Sequence, residues 1–214
     1  MAGKAGKTLR RGIANALIAV TPKWKPSIEP WPNKSIIIGA PHTSNFDALL
    51  MVLIMWRAER EFNFLVKDEV MKVPVLKSIV RWLGGIPVNR RKSTGLTHGI
   101  SQVAQQADTF TLCITPKGTR SKQDFWKSGF YRIAYENKLP ITFGFVDSVS
   151  KTFGTGPTFE PTWDITKDME VIRAFYADML GFKPDQTSTP RLRAEDDAEA
   201  AAYLLRPVDD GPVS

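Results

Sequence analysis

Cysteine and histidine are scarce in this chain of 214 residues: there is one cysteine, Cys113, and two histidines, His42 and His98. A single cysteine excludes an intramolecular disulfide and any multi-cysteine metal centre, in keeping with a reducing compartment. Two histidines exclude a multi-histidine zinc site. Long apolar runs are also missing. The run at residues 48–56 is nine residues long, too short to cross a bilayer and suited to a core helix covered by a sheet. Acid is absent from the first 25 residues, which hold Lys4, Lys7, Arg10, Arg11, Lys23 and Lys25.

That one-sided start belongs to a wider asymmetry. From Asp185 onward seven acids and three arginines give a net of −4, so an overall +7 leaves +11 on residues 1–184. A basic globular part calls for an anionic partner, which charge alone does not identify. Leu9, Ile13, Leu17 and Ile18 recur at helical spacing among the N-terminal cations. A basic helix with one apolar face is the form of an interfacial anchor, and it could equally pack on the domain. The expectation is a cytoplasmic protein held peripherally on a membrane surface by residues 1–34. No small-residue cleavage site follows residues 13–20, so a signal peptide is not expected.

With 43% hydrophobic residues the chain can bury a sizeable core, and its length suits one domain. Strand-like and helix-like segments alternate, as in an α/β fold. Residues 35–40, Ser-Ile-Ile-Ile-Gly-Ala, form a continuous apolar strand pattern ending at Pro41. Ser44 followed three residues later by Asp47, just before the run at 48–56, has the form of a capping box. His42 therefore stands in the loop before a buried helix and Asp47 in its first turn. Residues five apart in a regular helix point about 140° away from each other, so the two meet only if the loop folds back. If they do, the carboxylate orients the imidazole, which becomes a base for a hydroxyl that the substrate must supply. The alternative is that Asp47 only caps the helix and His42 is a turn residue.

Three further places carry chemistry. Lys67 falls at the carboxyl end of the next strand, the side of a parallel sheet where ligands bind. Arg90 ends the segment Gly84-Gly85-Ile86-Pro87-Val88-Asn89-Arg90 and can present a bidentate fork to phosphate. Gly118, Thr119 and Arg120 follow the strand at 110–115 in a loop that also holds Lys117, Ser121 and Lys122. A glycine for close approach, hydroxyls and cations together suit a cluster of anionic oxygens. Cys113 reads as core and His98 as a surface residue of a helix at 93–107.

The order and spacing of these blocks resemble the glycerolipid acyltransferase superfamily, typified by 1-acyl-glycerol-3-phosphate acyltransferases. His42-Thr43-Ser44-Asn45-Phe46-Asp47 is similar to the His-x4-Asp block of that family, and Lys67 with Gly85-Ile86-Pro87-Val88-Asn89-Arg90 to the second block. Gly118-Thr119-Arg120-Ser121 resembles the third, and Leu139-Pro140-Ile141 the fourth. The resemblance spans residues 35–146 and implies a mixed, mostly parallel sheet flanked by helices. It implies that His42 is the general base and Asp47 its orienter, with Lys67, Arg90, Gly118, Thr119 and Arg120 lining an acceptor site. The implied donor is an acyl thioester, acyl-CoA or acyl carrier protein, and the acceptor a lysophospholipid or related glycerolipid. No cofactor and no metal is implied.

Lys117 departs from the family pattern, which has glutamate there, and reverses a charge. That substitution keeps open a non-catalytic lipid- or phosphate-binding protein on the same scaffold, and a hydrolase is open because the same base could activate water. Nucleic acid is not an expected partner, because the cations lack interleaved stacking aromatics. Residues 35–182 are expected to form the acyltransferase domain. Residues 183–214, rich in acids and alanine, are expected to be a loosely attached tail with no catalytic part. A helix capped by Thr166 is expected over residues 166–180, and residues 147–161 should hold turns with one short strand.

Overall fold

A computed structural model describes residues 4–21, 23–88 and 94–206. Its strands are β1 (Lys25–Ile28), β2 (Lys34–Ala40), β3 (Asn63–Lys67), β4 (Gly85–Val88), β5 (Phe110–Ile114), β6 (Ile141–Asp147) and β7 (Thr152–Phe159). The helices are α1 (Lys4–Ala19), α2 (Asn45–Arg57), α3 (Pro74–Trp82), α4 (Thr94–Gln106), α5 (Gly129–Asn137), α6 (Ile165–Tyr176) and α7 (Ala198–Leu205). The strands form one sheet in the order β1-β7-β6-β2-β5-β3-β4. Among the described residues only β6 and β7 pair antiparallel; every other neighbouring pair is parallel. This is the α/β architecture expected, a mixed and mostly parallel sheet between helices.

The isoleucines of β2 show why both faces are covered. Side chains alternate along a strand, so Ile36 and Ile38 join one apolar cluster with Leu112, Phe143, Phe130 and Ile172, while Ile37 joins another with Leu50, Ile54, Met55 and Phe153. All three isoleucines are fully buried. The chain leaves β2 through α2 toward β3, on one side of the sheet, and leaves β5 through α5 toward β6, on the other. The carboxyl ends of β2 and β5 therefore border the crevice at which connections diverge, the usual ligand position in an open sheet.

Several boundaries differ from expectation. β1 occupies what read as a proline-stiffened connector: it lies at the edge of the sheet beside β7, where Pro26 leaves no ladder bond broken on the inner side. β7 runs eight residues instead of forming a short strand among turns. Helix α6 is capped by Asp164, whose carboxylate accepts the Lys167 amide at 3.2 Å, and not by Thr166. It ends at Tyr176 because Leu180 is drawn to the sheet: its amide donates to Asp147 Oδ1 (3.2 Å) and its carbonyl accepts from the Ser148 amide (2.7 Å).

The largest correction concerns the C-terminal segment. Residues 183–206 are packed on the domain: Leu192 and Leu204 are buried in the main core, and Trp126 and Leu192 form a parallel bridge. Arg132 donates to the Leu204 carbonyl at 2.9 Å, tying the end of α7 to α5. The acids that suggested a detached tail have local partners, such as Glu195 with Arg173 and Asp197 capping α7.

Helix α1 lies on α2 with only Ala14 and Ile18 buried, while Leu9, Ile13 and Leu17 stay exposed. Arg10 stacks its guanidinium on Trp82 at 4.6 Å and so joins α1 to α3, none of whose residues is buried. Among the described residues no helix is long and apolar enough to cross a membrane.

Candidate active site

The loop after β2 folds back as the pairing of His42 with Asp47 requires. Ser44 caps α2, its hydroxyl oxygen accepting the Phe46 amide at 3.1 Å, and Asp47 completes the capping box. Asp47 Oδ2 accepts from two successive amides, Thr43 at 2.6 Å and Ser44 at 2.8 Å. Those bonds wind residues 42–44 over the helix start and bring His42 Nδ1 to 3.4 Å from the same oxygen. The Asp47 side chain is 5% exposed and that of His42 17% exposed. Nδ1 makes no hydrogen bond, so the contact is electrostatic and longer than a formed base–orienter bond of about 2.6–3.2 Å. The carboxylate that caps the helix thus also lies beside the imidazole.

The loop after β5 faces this pair. Gly118 adopts φ +66° and its amide donates to the Thr115 carbonyl at 2.9 Å. A Cβ at this position would lie 3.0 Å from Lys127 Cδ and Cε; the bare glycine lets the lysine stem lie across the turn. Arg120 donates to the Asn45 side chain in the first turn of α2, which ties the two loops together. Thr119 is half-buried and accepts the Ser121 amide at 3.4 Å, a turn contact. Lys67 is the last residue of β3, at the carboxyl edge as expected, though its side chain lies outside the described residues. So do Arg90 and the side chain of His98. Sequence reasoning missed Lys127, whose only local signal was a lysine two residues before Gly129, ten after Lys117.

A cavity of ≈ 1310 Å³ opens at this junction. His42, Asp47, Gly118 and Lys127 line it together with Phe130 and Leu204, and its wall is mostly apolar. Lys117, expected inside the site as a reversed charge, is not among the lining residues, and neither are Thr119 and Arg120, expected to line the acceptor site. It is 5% exposed, and its Nζ donates to the carbonyl oxygens of Gln186 (2.6 Å) and Arg120 (3.3 Å). Burial lowers its pKa, partly offset by the carboxylate of Asp47. Burial pushes the Cys113 thiol up to about 12, so this cysteine is a core residue and not a nucleophile. Among the described residues no three His, Cys, Asp or Glu side chains group as a metal site.

Known proteins resemble this chain over the region that holds the pair. The family model described as Acyltransferase matches residues 24–147. The chain belongs to the acyltransferase family. The match runs from β1 to β6 and holds His42, Asp47, Lys67, Arg90 and the 118–120 turn, but not α1 or anything beyond Asp147. The chain is 28% identical over 116 residues to a probable 1-acyl-sn-glycerol-3-phosphate acyltransferase of Mycoplasma pneumoniae. That match covers 51% of this chain and 43% of the relative, so it spans less than half of the curated protein's length. The fold is that of the 1-acyl-sn-glycerophosphate (LPA) acyltransferase PlsC from Thermotoga maritima, with a TM-score of 0.51, 16% identity, and 79% of this chain and 77% of that chain covered.

Proposed function

We propose that this acyltransferase-family chain moves a fatty acyl group from a thioester, acyl-CoA or acyl carrier protein, to a hydroxyl of a phosphate-bearing lysolipid or related glycerolipid. The observation that carries the reading is the His42–Asp47 pair on the wall of a mostly apolar cavity that Gly118 and Lys127 also line. His42 takes the proton of the acceptor hydroxyl, whose oxygen attacks the thioester carbonyl. The carbon–sulfur bond breaks, and the imidazolium returns the proton to the leaving thiolate. The products are an ester and a free thiol. Asp47 supports the imidazolium while it exists, and the acyl chain occupies the apolar wall. The acceptor phosphate belongs at the turn, where Lys127 and Arg120 supply positive charge, and the family resemblance assigns Lys67 and Arg90 to the same anion. These steps draw on no metal or cofactor.

Lipid substrates place the protein on a membrane, and two adjoining helices offer the surface. Helix α1 exposes Leu9 at 65% and α3 exposes Val75 at 69% and Trp82 at 57%. The same two helices carry Lys7 and Arg11 on α1 and Lys77 and Arg81 on α3, cations of the sign that anionic headgroups select. That surface supports the reading of a peripherally bound protein on the cytoplasmic side of a membrane. The non-catalytic alternative drew on Lys117, and with that side chain turned to carbonyl oxygens outside the cavity no observation favours it.

The test offers labelled acyl-CoA or acyl carrier protein with a panel of lysolipids in anionic vesicles and identifies products by mass spectrometry. An acylated phosphate-bearing acceptor is expected. His42→Ala should slow transfer by about 10²–10⁴-fold while keeping vesicle binding. Release of free fatty acid without acceptor would show a hydrolase instead, and wild-type turnover in His42→Ala would reject the mechanism.

A further inference from the structure

The segment after α6 crosses both loops of the site. At one end Lys183 donates its amide to Thr43 Oγ1 at 3.1 Å, next to the base. Thr43 is 2% exposed, and a Cβ on Gly181 would lie 2.4 Å from that hydroxyl, so only glycine passes there. Farther along, Gln186 Oε1 accepts the Lys122 amide and Ser188 Oγ the Gln123 amide, both at 2.9 Å. The Trp126 amide then donates to the Arg191 carbonyl at 2.7 Å. Loop residues 122–126 thus lean on residues 186–191 along their whole length. Lys117 holds the inner side of the junction: its ammonium joins the Gln186 carbonyl on the strap to the Arg120 carbonyl on the loop.

We propose that residues 181–192 are a strap that fixes the cationic turn relative to the His42 loop, and that Lys117 is the positioning residue that pins it. A buried ammonium between two carbonyls makes charge-assisted bonds, stronger than neutral ones, and a carboxylate in its place would face two acceptors with nothing to donate. The lysine therefore belongs with the strap, and the strap lies wholly beyond the residues that match the family. The inference deepens the acyl-transfer reading by assigning what orients the acceptor's anionic end, and it rests on that reading.

Hydrogen exchange and steady-state kinetics on the full chain test it. Lys117→Met keeps the stem and removes the donor. Peptides covering residues 118–126 and 181–190 should exchange faster, with β2 and β6 unchanged. The KM for the phosphate-bearing acceptor should rise about tenfold, the scale of one lost charged hydrogen bond, while the KM for the thioester and kcat stay within a few-fold. The double variant Gln186→Ala, Ser188→Ala removes only the outer contacts and should give the same split, which keeps the test open should Lys117→Met fail to fold. Unchanged exchange in both variants overturns the strap. Faster exchange with an unchanged acceptor KM, or equal losses toward donor and acceptor, overturns positioning. A wild-type protein inert toward every thioester would sink the acyl-transfer reading, and the exchange result would still decide the strap.

Discussion

Asp47 caps α2 and, in the proposed mechanism, orients His42, so replacing it with asparagine separates the two roles. The Asp47→Asn side chain would keep an oxygen to accept the Thr43 and Ser44 amides, now at 2.6 and 2.8 Å, and the loop would keep its path. What disappears is the negative charge 3.4 Å from His42 Nδ1. At an effective dielectric of about 20, Coulomb's law gives two unit charges at that distance about 5 kcal/mol. This is the support withdrawn from the imidazolium as the acceptor proton is taken. Each 1.36 kcal/mol off a barrier is tenfold in rate, so kcat should fall by roughly 10³–10⁴-fold. The cap loses only its charge at the helix start, about 0.3–1 kcal/mol of stability, which leaves the protein folded at 25 °C. Single-turnover acyl transfer, measured against urea unfolding of the same preparation, reads both numbers. A variant that keeps more than a tenth of the wild-type rate would refute the orienting role; one that unfolds in step with its loss of rate would show that Asp47 is a cap alone.

Gly181→Ala should cost about 1–3 kcal/mol through overpacking and lower kcat, because the new methyl has to displace Thr43 and with it the His42 loop; wild-type kcat and urea midpoint together would show that the strap does not bear on the base. Asp147 gives a pH prediction. Burial alone would raise its pKa, but the Ser150 hydroxyl and the amides of Ser150, Val149 and Leu180 outweigh this and hold it below the ordinary carboxylate value. A depressed folded pKa adds stability that is present above the unfolded value of about 3.9 and is lost as pH falls through the folded one. Thermal unfolding of Asp147→Asn should therefore fall less steeply than wild type below about pH 4; parallel acid limbs would exclude Asp147 as a source.

The parts of the fold that sequence carried plainly are those set by local chemistry. The isoleucines of β2, the Ser44–Asp47 box and the short apolar run of α2 each specify their own conformation, and they put His42 just past the end of a central strand. What was not legible depends on contacts between distant residues. β1 has no pattern of its own; its four residues become a strand because β7 offers an edge. The C-terminal segment reads as acidic and polar until Arg173, Arg132 and Lys117 are placed against it. Lys127 carries no motif signal because its place over Gly118 is made by a positive φ earlier in the same loop.

Lys117 shows how a residue in a motif position can act outside the motif. Sequence puts it beside Gly118 in the third block, which reads as a place inside the site. The left-handed turn at Gly118 breaks that inference, since a φ of +66° redirects the chain on one side relative to the other. Gly118 stays on the cavity wall while the lysine beside it points away, to the Gln186 and Arg120 carbonyls. A charge reversal read from sequence as a change of ligand is thus, in the folded chain, a change in what holds the loop. Beside Gly118 the cation on the cavity wall is Lys127, whose stem runs across the turn, while Arg120 ties the turn to the start of α2 through Asn45.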